Sequence, residues 1–315
     1  MASNPTLSAV ISKFDDLESA KSFVALGGGS ALDAAKALAV MTATSAAVLE
    51  EHLINGVPLP VDMVLPLMIA VPTTSGTGSE VTPWGTLWGD EGSKFSVRSN
   101  QLRPDYAILD PELCTSMPPA LTLSTGLDAV SHAMEAVWNQ GHSPITDVLA
   151  SQTIALARAN LSRAINFPND IEIRRAMQTA SALGGLAMGK TQTAIAHSIS
   201  YPFTSRLGVP HGLACSFTLA ECARFFVSEA PGRLGPIAAG LGCETADIPV
   251  VIENWFQEIG IGQALQGLGL VEDSVDMIAE QLINPDRAAN SIRPVSKSAA
   301  EQITRQALRH FEAPR

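Results

Sequence analysis

The chain has 315 residues, of which 46% are hydrophobic and 16% charged, so we expect a large buried core divided between two domains. Its formal net charge of −11 argues against the basic surface that nucleic acids or anionic membranes require. The four cysteines include no C-x-x-C pair. We therefore expect thiols rather than disulfides, as in a reducing compartment.

The N-terminus carries neither the basic segment nor the apolar segment of a signal peptide. No apolar run reaches the ~18 residues of a membrane-spanning helix, since the longest candidate, Val61–Val71, is interrupted by Asp62 and Pro66. We predict a cytoplasmic protein with no membrane partner.

Strand and helix patterns alternate in the first third of the chain. A short apolar run that ends in glycines predicts a strand, an alanine-rich run a helix, and two runs flanking D-E-G-S a hairpin. In chain order these predictions are strand Ser22–Leu26, helix Ala31–Thr44, buried strand Met63–Val71, hairpin Thr82–Asp90 with Lys94–Ser99, and strand Tyr106–Leu109. The order indicates a parallel sheet of the nucleotide-binding type.

The pattern becomes helical after Pro111. The predicted helices are Leu121–Trp138, Pro144–Ile165, Ile171–Met188, His211–Phe226, Pro231–Leu241, Ile248–Ile259, Val275–Leu282 and Ala299–Phe311. The predicted fold is thus an α/β domain over residues 1–112 followed by an all-helical domain over residues 113–315.

A glycine loop joins the first strand to the first predicted helix in V-A-L-G-G-G-S-A-L-D-A-A-K. Such a turn lets the backbone approach a pyrophosphate at the N-terminus of a helix, although a plain tight turn explains the bare pattern equally well. It is not the G-x-G-x-x-G fingerprint. Asp33 is a candidate cofactor-binding residue, or else pairs with Lys36 and positions the loop.

A second polar loop, P-T-T-S-G-T-G-S-E-V-T, follows the next predicted strand. Loops beyond the carboxyl ends of parallel strands commonly bind ligands, and two such loops in succession favour binding over an ordinary surface loop. Its candidate cofactor-binding residues are Thr73, Thr74, Thr77 and Ser79.

One carboxylate and three imidazoles form a candidate site for a divalent metal. Asp128 and His132 are four positions apart and share one helix face, while His197 and His211 come from the edges of a later helical block. A surface Asp–His pair and core histidines are the alternatives. The donors suit Fe²⁺ or Zn²⁺, and an ion with an open position could polarise a substrate oxygen.

A phosphate-loop pattern, G-x-x-x-x-G-K-T, occurs at Gly184–Thr191. That motif needs a preceding strand, whereas the residues before it have a helical pattern. We therefore predict that it is not a nucleotide triphosphatase loop. Lys190 is either a solvated lysine in a turn or a cation that faces an anionic substrate.

These motifs occur together with D-P-E-L, G-L-D-A-V-S-H-A-M-E, V-P-H-G and R-A-A-N-S-I-R-P-V-S, in a fixed order over nearly the whole chain. In this the chain resembles the iron-dependent (group III) alcohol dehydrogenase family. The resemblance implies a Rossmann-like domain followed by a helical metal domain, as in dehydroquinate synthase, with the active site in the cleft between them. It implies NADH or NADPH as the cofactor, and we expect a homodimer.

The resemblance also implies roles for individual residues. The metal ligands would be Asp128, His132, His197 and His211. Gly28, Gly29 and Ser30 would lie at the cofactor phosphates, and the cofactor site would be lined by Thr73, Thr74, Thr77, Thr86 and Lys94.

Two departures from the family pattern stand out. Members usually carry one to two further βα units, roughly 30 residues each, before the glycine loop, so we expect a shortened nucleotide domain. Many members also have a histidine four positions after the third metal ligand, where this chain has Tyr201. A tyrosine there can relay a proton, although its ordinary pKa is about 10.

The stretch M-G-K-T-Q-T-A-I-A-H-S-I-S-Y-P resembles most the branch that reduces phosphonoacetaldehyde to 2-hydroxyethylphosphonate. Lys190, Thr191 and Thr193 would suit a phosphonate. The expected reaction is therefore reversible reduction of a small aldehyde, with Tyr201 and Lys190 as candidate catalytic residues. The alternatives are a non-catalytic metal-binding scaffold, a nucleotide triphosphatase and a zinc polyol dehydrogenase.

Overall fold

The structure is a computed structural model that describes residues 5–14, 17, 19–89 and 93–312. The chain divides into two compact units. Unit 1 comprises the chain up to Thr74 together with Gly78–Cys114. Unit 2 comprises Ser75–Thr77 together with the chain from Thr115 onward.

Unit 1 contains a parallel sheet in the order β1-β2-β5, formed by Ser22–Gly27 (β1), Leu67–Pro72 (β2) and Tyr106–Ala107 (β5). This confirms the predicted parallel sheet. Gly27 lies opposite Pro72 in the register. The glycine loop and the second polar loop therefore leave the sheet side by side, at the carboxyl ends of neighbouring strands.

Helices α1 (Leu7–Ile11), α2 (Gly29–Ala43) and α3 (Ala46–Asn55) complete the α-helical part of unit 1. Helix α2 begins after extended Gly28 and buries most of its alanines, which let a helix approach a sheet closely. Helix α3 is a difference from the prediction, because the sequence pattern there was not assigned to any element. Its N-cap Ser45 accepts a hydrogen bond from the Val48 amide.

One face of the sheet is apolar and exposed. In β1, Phe23 and Ala25 are buried, whereas Val24 is 68% and Leu26 is 59% exposed. Strand β2 also alternates, and Leu67 is 42% exposed. The prediction of a buried strand over Met63–Val71 was therefore wrong in two respects: the strand begins only at Leu67, and only one of its faces packs on the core of unit 1.

The predicted hairpin is confirmed as antiparallel strands β3 (Trp84–Trp88) and β4 (Lys94–Arg98). Its predicted turn includes residues 90–92, which lie outside the described residues. Strand β5 is shorter than predicted and ends at Ala107.

Unit 2 is helical, as predicted. Its helices are α4 (Pro119–Val137), α5 (Pro144–Asn166), α6 (Ile171–Thr191), α7 (Ile195–Leu207), α8 (His211–Ala214), α9 (Leu219–Glu229), α10 (Gly235–Leu241), α11 (Ile248–Glu258), α12 (Ile261–Gly267), α13 (Pro285–Ala288) and α14 (Lys297–Phe311). Their shared core contains completely buried aromatic side chains, among them Trp138, Phe203 and Trp255.

Two helix predictions in unit 2 were wrong, and a third, Pro231–Leu241, was right only from Gly235 onward, because Pro231–Arg233 forms a 3₁₀ turn. The stretch His211–Phe226 is not one helix, because a turn at residues 215–218 separates α8 from α9. Val275–Leu282 forms 3₁₀ turns instead of an α-helix. Apolar spacing does not distinguish a continuous helix from two short ones that share a core.

Among the described residues, no helix combines the length and the apolar character that crossing a bilayer requires.

Candidate metal centre

Helix α4 presents Asp128 and His132 on one buried face, as their spacing predicts. Each residue is 4% exposed, and His132 Nε2 lies 3.4 Å from Asp128 Oδ1. Gly126 and Gly184 allow the neighbouring helices to pack closely on α4, which holds α4 in place. A Cβ on Gly126 would lie 2.4 Å from Leu161 Cδ1 of α5.

Helix α7 brings His197 to the same point from a distant part of the sequence. Its Nε2 atom lies 3.6 Å from Asp128 Oδ1, and its ring stacks on that of His132 with 5.0 Å between centroids. His197 Nε2 is buried and has no hydrogen-bond partner. A buried nitrogen left without a partner costs free energy, which a bound cation would offset.

Helix α8 supplies His211, whose ring lies edge-on to His197 with 5.3 Å between centroids. This approach depends on Gly212, because a Cβ there would lie 1.8 Å from Ser124 O of α4. Two further bonds tie this turn to α4: Ser131 Oγ donates to Cys215 O and Ser216 Oγ to Leu127 O, both at 2.9 Å.

Cys215 also reaches the centre, which the sequence analysis missed. The ligand atoms of Asp128, His197, His211 and Cys215 all lie within 4.8 Å of one another. His132 stands beside this group through its contact with Asp128. The spacing of Cys215, four positions after His211, was the available signal, but the cysteines were considered only for pairing with one another. All four are thiols in the structure, as expected.

The charges at the centre favour an ionised carboxylate among imidazoles. Burial opposes ionisation, yet the three histidines hold the pKa of Asp128 well below its ordinary value. Burial lowers the pKa of His132 and raises that of Cys215. Burial would also lower the pKa of His197, but the Glu135 and Asp128 carboxylates raise it to about 9.

Glu135 is a second residue that the sequence analysis did not single out. It is completely buried, and its Oε2 lies 2.6 Å from His197 Nδ1. Its Oε1 accepts the backbone N–H of His197 at 3.1 Å. The carboxylate on Nδ1 directs Nε2 towards Asp128, and a bound ion would take the place of the proton on Nε2, since many metal-bound histidines donate their other ring N–H to a carboxylate.

The donor set fits a divalent transition-metal ion. Imidazole nitrogens and a carboxylate oxygen are ligands of Fe²⁺ and Zn²⁺. His197 Nε2, which has no hydrogen-bond partner, could bind such an ion, and the ionised Asp128 supplies a negative charge to balance it. The predicted set of Asp128, His132, His197 and His211 is thus brought together within unit 2, and its role as ligands remains a prediction.

The glycine loop of unit 1 has the geometry of a close-approach turn. Gly27 has φ +150°, and a Cβ there would lie 2.7 Å from Ala31 Cβ. Gly28 precedes the first turn of α2 and packs against Thr74. The Thr73 amide donates to Gly27 O at 2.9 Å. The predicted phosphate residues Gly28, Gly29 and Ser30 therefore lie at the N-terminus of a long helix, where backbone amides favour an anion.

Asp33 and Lys36 of α2 hold this region together through hydrogen bonds within unit 1. Asp33 accepts the Ser79 hydroxyl at 2.6 Å and the Thr86 amide at 2.9 Å. Buried Lys36 Nζ donates to Ser79 O and Trp84 O, both at 2.6 Å. Both oxygens of Asp33 are thus engaged within unit 1, which supports loop positioning. Cofactor contacts by Asp33, Ser79 and Thr86 remain predictions.

Of the remaining predicted cofactor residues, Lys94 belongs to unit 1 and Thr77 to unit 2. Lys94 stands at the start of β4, with its Nζ 5.9 Å from the centre of the Trp88 ring. Thr77 belongs to unit 2, in the short segment whose Gly76 packs directly on Thr125 of α4.

Helix α6 runs without interruption through Gly184–Thr191, which confirms that this stretch is not a phosphate loop. Lys190 is exposed in its last turn. The hydroxyl of Thr191 donates to the backbone oxygens of Ala187 and Gln192, so its proton is engaged within the chain.

Two family models together match most of the chain. Residues 1–111 match the model of iron-containing alcohol dehydrogenases, and residues 122–308 match the C-terminal model of the Fe-containing alcohol dehydrogenase family.

Several characterised proteins are similar over most of the chain. An NAD-dependent methanol dehydrogenase of Bacillus methanolicus is 30% identical over 92% of this chain and 78% of its own length. A sulfoacetaldehyde reductase of Bilophila wadsworthia is 34% identical over 85% of this chain and 71% of its own. The solved sulfoacetaldehyde reductase of Bifidobacterium kashiwanohense, in complex with NAD⁺, has a TM-score of 0.88 and 32% identity, and covers 98% of this chain and 82% of its own.

Proposed function

This chain belongs to the iron-containing alcohol dehydrogenase family and is an NAD-dependent enzyme of that class, and from this premise we propose that it reduces a small aldehyde to a primary alcohol. The observation that carries the proposal is the convergence of Asp128, His132, His197 and His211, with the His197 Nε2 atom buried and unpartnered. Two of the relatives are named as sulfoacetaldehyde reductases, which supports an aldehyde substrate.

The proposed reaction transfers a hydride from C4 of NADH to the carbonyl carbon. The C=O π electrons move to the oxygen, which takes a proton to become the alcohol, and NADH becomes NAD⁺. A divalent ion, when bound, supplies positive charge that stabilises the developing negative charge on the substrate oxygen.

The chain's own residues position and shield this chemistry. Asp128 and the three histidines would hold the ion, and Glu135 fixes the orientation of His197 through its 2.6 Å contact. Because Asp128, His132 and His197 are buried, little water is present to screen their electrostatic interaction with a bound ion. Tyr201, one turn after His197, would deliver the proton through its hydroxyl.

Phosphonoacetaldehyde is the substrate that we put forward among small aldehydes, with 2-hydroxyethylphosphonate as product. The resemblance of the segment around Lys190 to that branch supports it. We further propose a cytoplasmic homodimer, with Gly28, Gly29 and Ser30 at the pyrophosphate of NADH and Thr73, Thr74, Thr77, Thr86 and Lys94 along the cofactor. A zinc polyol dehydrogenase is the alternative, to be distinguished by its substrate profile.

The decisive test is NADH oxidation by the purified protein loaded with Fe²⁺ or with Zn²⁺, using phosphonoacetaldehyde, butanal and glyceraldehyde as substrates and NADPH for comparison. We expect turnover that requires the ion. Asp128→Ala and His211→Ala should lose both bound metal and turnover. Full NADH oxidation by a metal-free variant would refute the assignment. NADH fluorescence titration separates the enzyme from a scaffold, which would bind no cofactor at millimolar concentration.

A further inference from the structure

Arg287 is a half-buried cation with only neutral partners. Its Nε donates to Tyr201 Oη at 3.1 Å, and its Nη1 donates to Gln192 Oε1 at 2.9 Å. Among the described residues, no carboxylate pairs with it, and its Nη2 group makes no hydrogen bond. Other arginines of unit 2 differ: Arg233 and Arg305, for example, each pair with an aspartate.

For comparison, another arginine of unit 2 donates hydrogen bonds from all three of its guanidinium nitrogens to groups of the protein. Arg174 is 1% exposed and donates from Nε, Nη1 and Nη2 to Pro168 O, Thr122 Oγ1 and Met117 O. Arg287 instead keeps one end of its guanidinium available. A guanidinium presents donors in a fixed fork that matches the oxygens of a carboxylate, phosphonate or sulfonate.

The place of Arg287 is set by its contact with helix α7. Tyr201 follows His197 by four positions, so the two side chains share one face of α7 with about 5–6 Å between their Cβ atoms. Arg287 Nε therefore contacts the tip of a side chain that begins one helical turn after the candidate ligand His197. That spacing suits a short aldehyde whose carbonyl lies at the centre and whose other end carries an anionic group.

The segment that carries Arg287 is held rigidly. The Asn284 amide donates to Ser198 Oγ at 2.6 Å, next to His197 in sequence. Asn290 Nδ2 donates to Thr193 O at 2.7 Å, and the Gln140 amide donates to Asn290 O at 2.8 Å. Both ends of the segment are thus bonded to residues within or next to the helices that carry the candidate ligands, which pre-organises the guanidinium.

Gln192 adds a second, independent observation. It is the one described non-glycine residue with positive φ, at +65°. Such a backbone costs free energy and is typical of ligand-binding positions. Met188 O and Asn139 Nδ2 hold its backbone in place. The strained conformation directs the Gln192 amide oxygen to Arg287.

We propose that Arg287, held by Gln192 and Tyr201, is the specificity-determining residue that binds the anionic end of a short aldehyde bearing an oxyacid group. This inference rests on the proposed function and deepens it by naming the substrate class. It assigns the anion to Arg287 instead of Lys190, whose side chain is exposed at the end of α6.

The test compares kcat/KM for phosphonoacetaldehyde, sulfoacetaldehyde and neutral butanal in the metal-loaded enzyme and its Arg287→Met and Arg287→Lys variants. We expect the wild type to prefer the anionic aldehydes. Arg287→Met should lower kcat/KM for them by about 10- to 100-fold, mainly through KM, because a hydrogen-bonded charge is lost. Butanal should lose much less, because it has no anionic group and the loss of the contact with Tyr201 affects all substrates alike. Arg287→Lys should retain part of the preference.

Controls keep the outcome unambiguous. Arg206→Met removes an exposed arginine at the end of α7 and should leave the preference intact. Inhibition of the wild type by inorganic sulfate, competitive with butanal, tests the anion site without any variant, even if Arg287→Met fails to fold.

Three results would overturn the inference while leaving the proposed function standing: no preference for anionic aldehydes, an equal loss with all substrates in Arg287→Met, or a loss of the preference in Lys190→Met with Arg287→Met unaffected. No NADH oxidation with any aldehyde, with metal and cofactor bound, would overturn both.

Discussion

Glu135 Oε2 lies 2.6 Å from His197 Nδ1, and the other oxygen of the same carboxylate accepts the His197 backbone amide. One buried side chain thus holds both the ring and the backbone of a candidate metal ligand. Glu135 lies two turns after Asp128 on α4, so a single helix supplies the carboxylate that faces the ion and the carboxylate that orients the imidazole.

We predict that Glu135→Gln lowers metal affinity by about 10- to 100-fold, because glutamine offers one acceptor where two donors of His197 must be bound. Competition with a chelator measures the affinity directly. Glu272→Gln, which removes the charge of a carboxylate that pairs with Arg309 at the surface, is the matched control. Equal affinities for Glu135→Gln and wild type would show that His197 keeps its orientation without the carboxylate.

We predict that Cys215→Ser retains the metal and that His132→Ala loses it. The Cys215 thiol donates to Asp128 Oδ1 and to Gly212 O, both at 3.5 Å, as a neutral thiol does. A neutral thiol is a poor ligand, whereas an imidazole without a proton on Nε2 binds directly. Elemental analysis of the metal content of the two purified variants tests this prediction. An intense sulfur-to-metal charge-transfer band after Co²⁺ substitution would instead place Cys215 among the ligands.

Gly212→Ala should disrupt the centre. The added methyl group would lie 1.8 Å from Ser124 O, so α8 must move away from α4 and carry His211 with it. We expect a loss of metal binding and a fall of about 1–3 kcal/mol or more in the free energy of unfolding. Gly232→Ala, where no atom lies within 4 Å of the new Cβ, is the control. Normal metal content in Gly212→Ala would refute this account.

The buried Lys36 should make stability depend on pH. Burial lowers the pKa of Lys36 to about 8, from 10.5. The unfolded chain therefore binds more protons than the native state between these values, and the free energy of unfolding rises with pH across that window, by at most about 1.4 kcal/mol per pH unit.

Urea unfolding at several pH values between 8 and 10.5 tests this directly. Lys36→Met should lack the rise, whereas Lys21→Met, which removes an exposed lysine, should show it as the wild type does. Parallel stability curves for Lys36→Met and wild type would contradict the prediction.

The local patterns of the sequence determined much of the secondary structure of this protein. Alternation and helical periodicity depend on neighbours along the chain, so the parallel sheet, the hairpin and the long helices of unit 2 could be predicted from them. The i, i+4 spacing of Asp128 and His132 likewise determined that both face one side of α4, because the helix repeat requires it.

Only the tertiary structure decided which distant groups meet. Cys215 and Glu135 carry no periodic signal of their own; the packing of α7 and α8 on α4 brings them to His197 and Asp128, through contacts that only glycine at position 212 permits. The same packing decided that His211–Phe226 breaks into two helices, and that Arg287 lies against Tyr201 at 86 positions' separation. Such contacts depend on the shapes of surfaces far apart in the chain, and no local pattern encodes them.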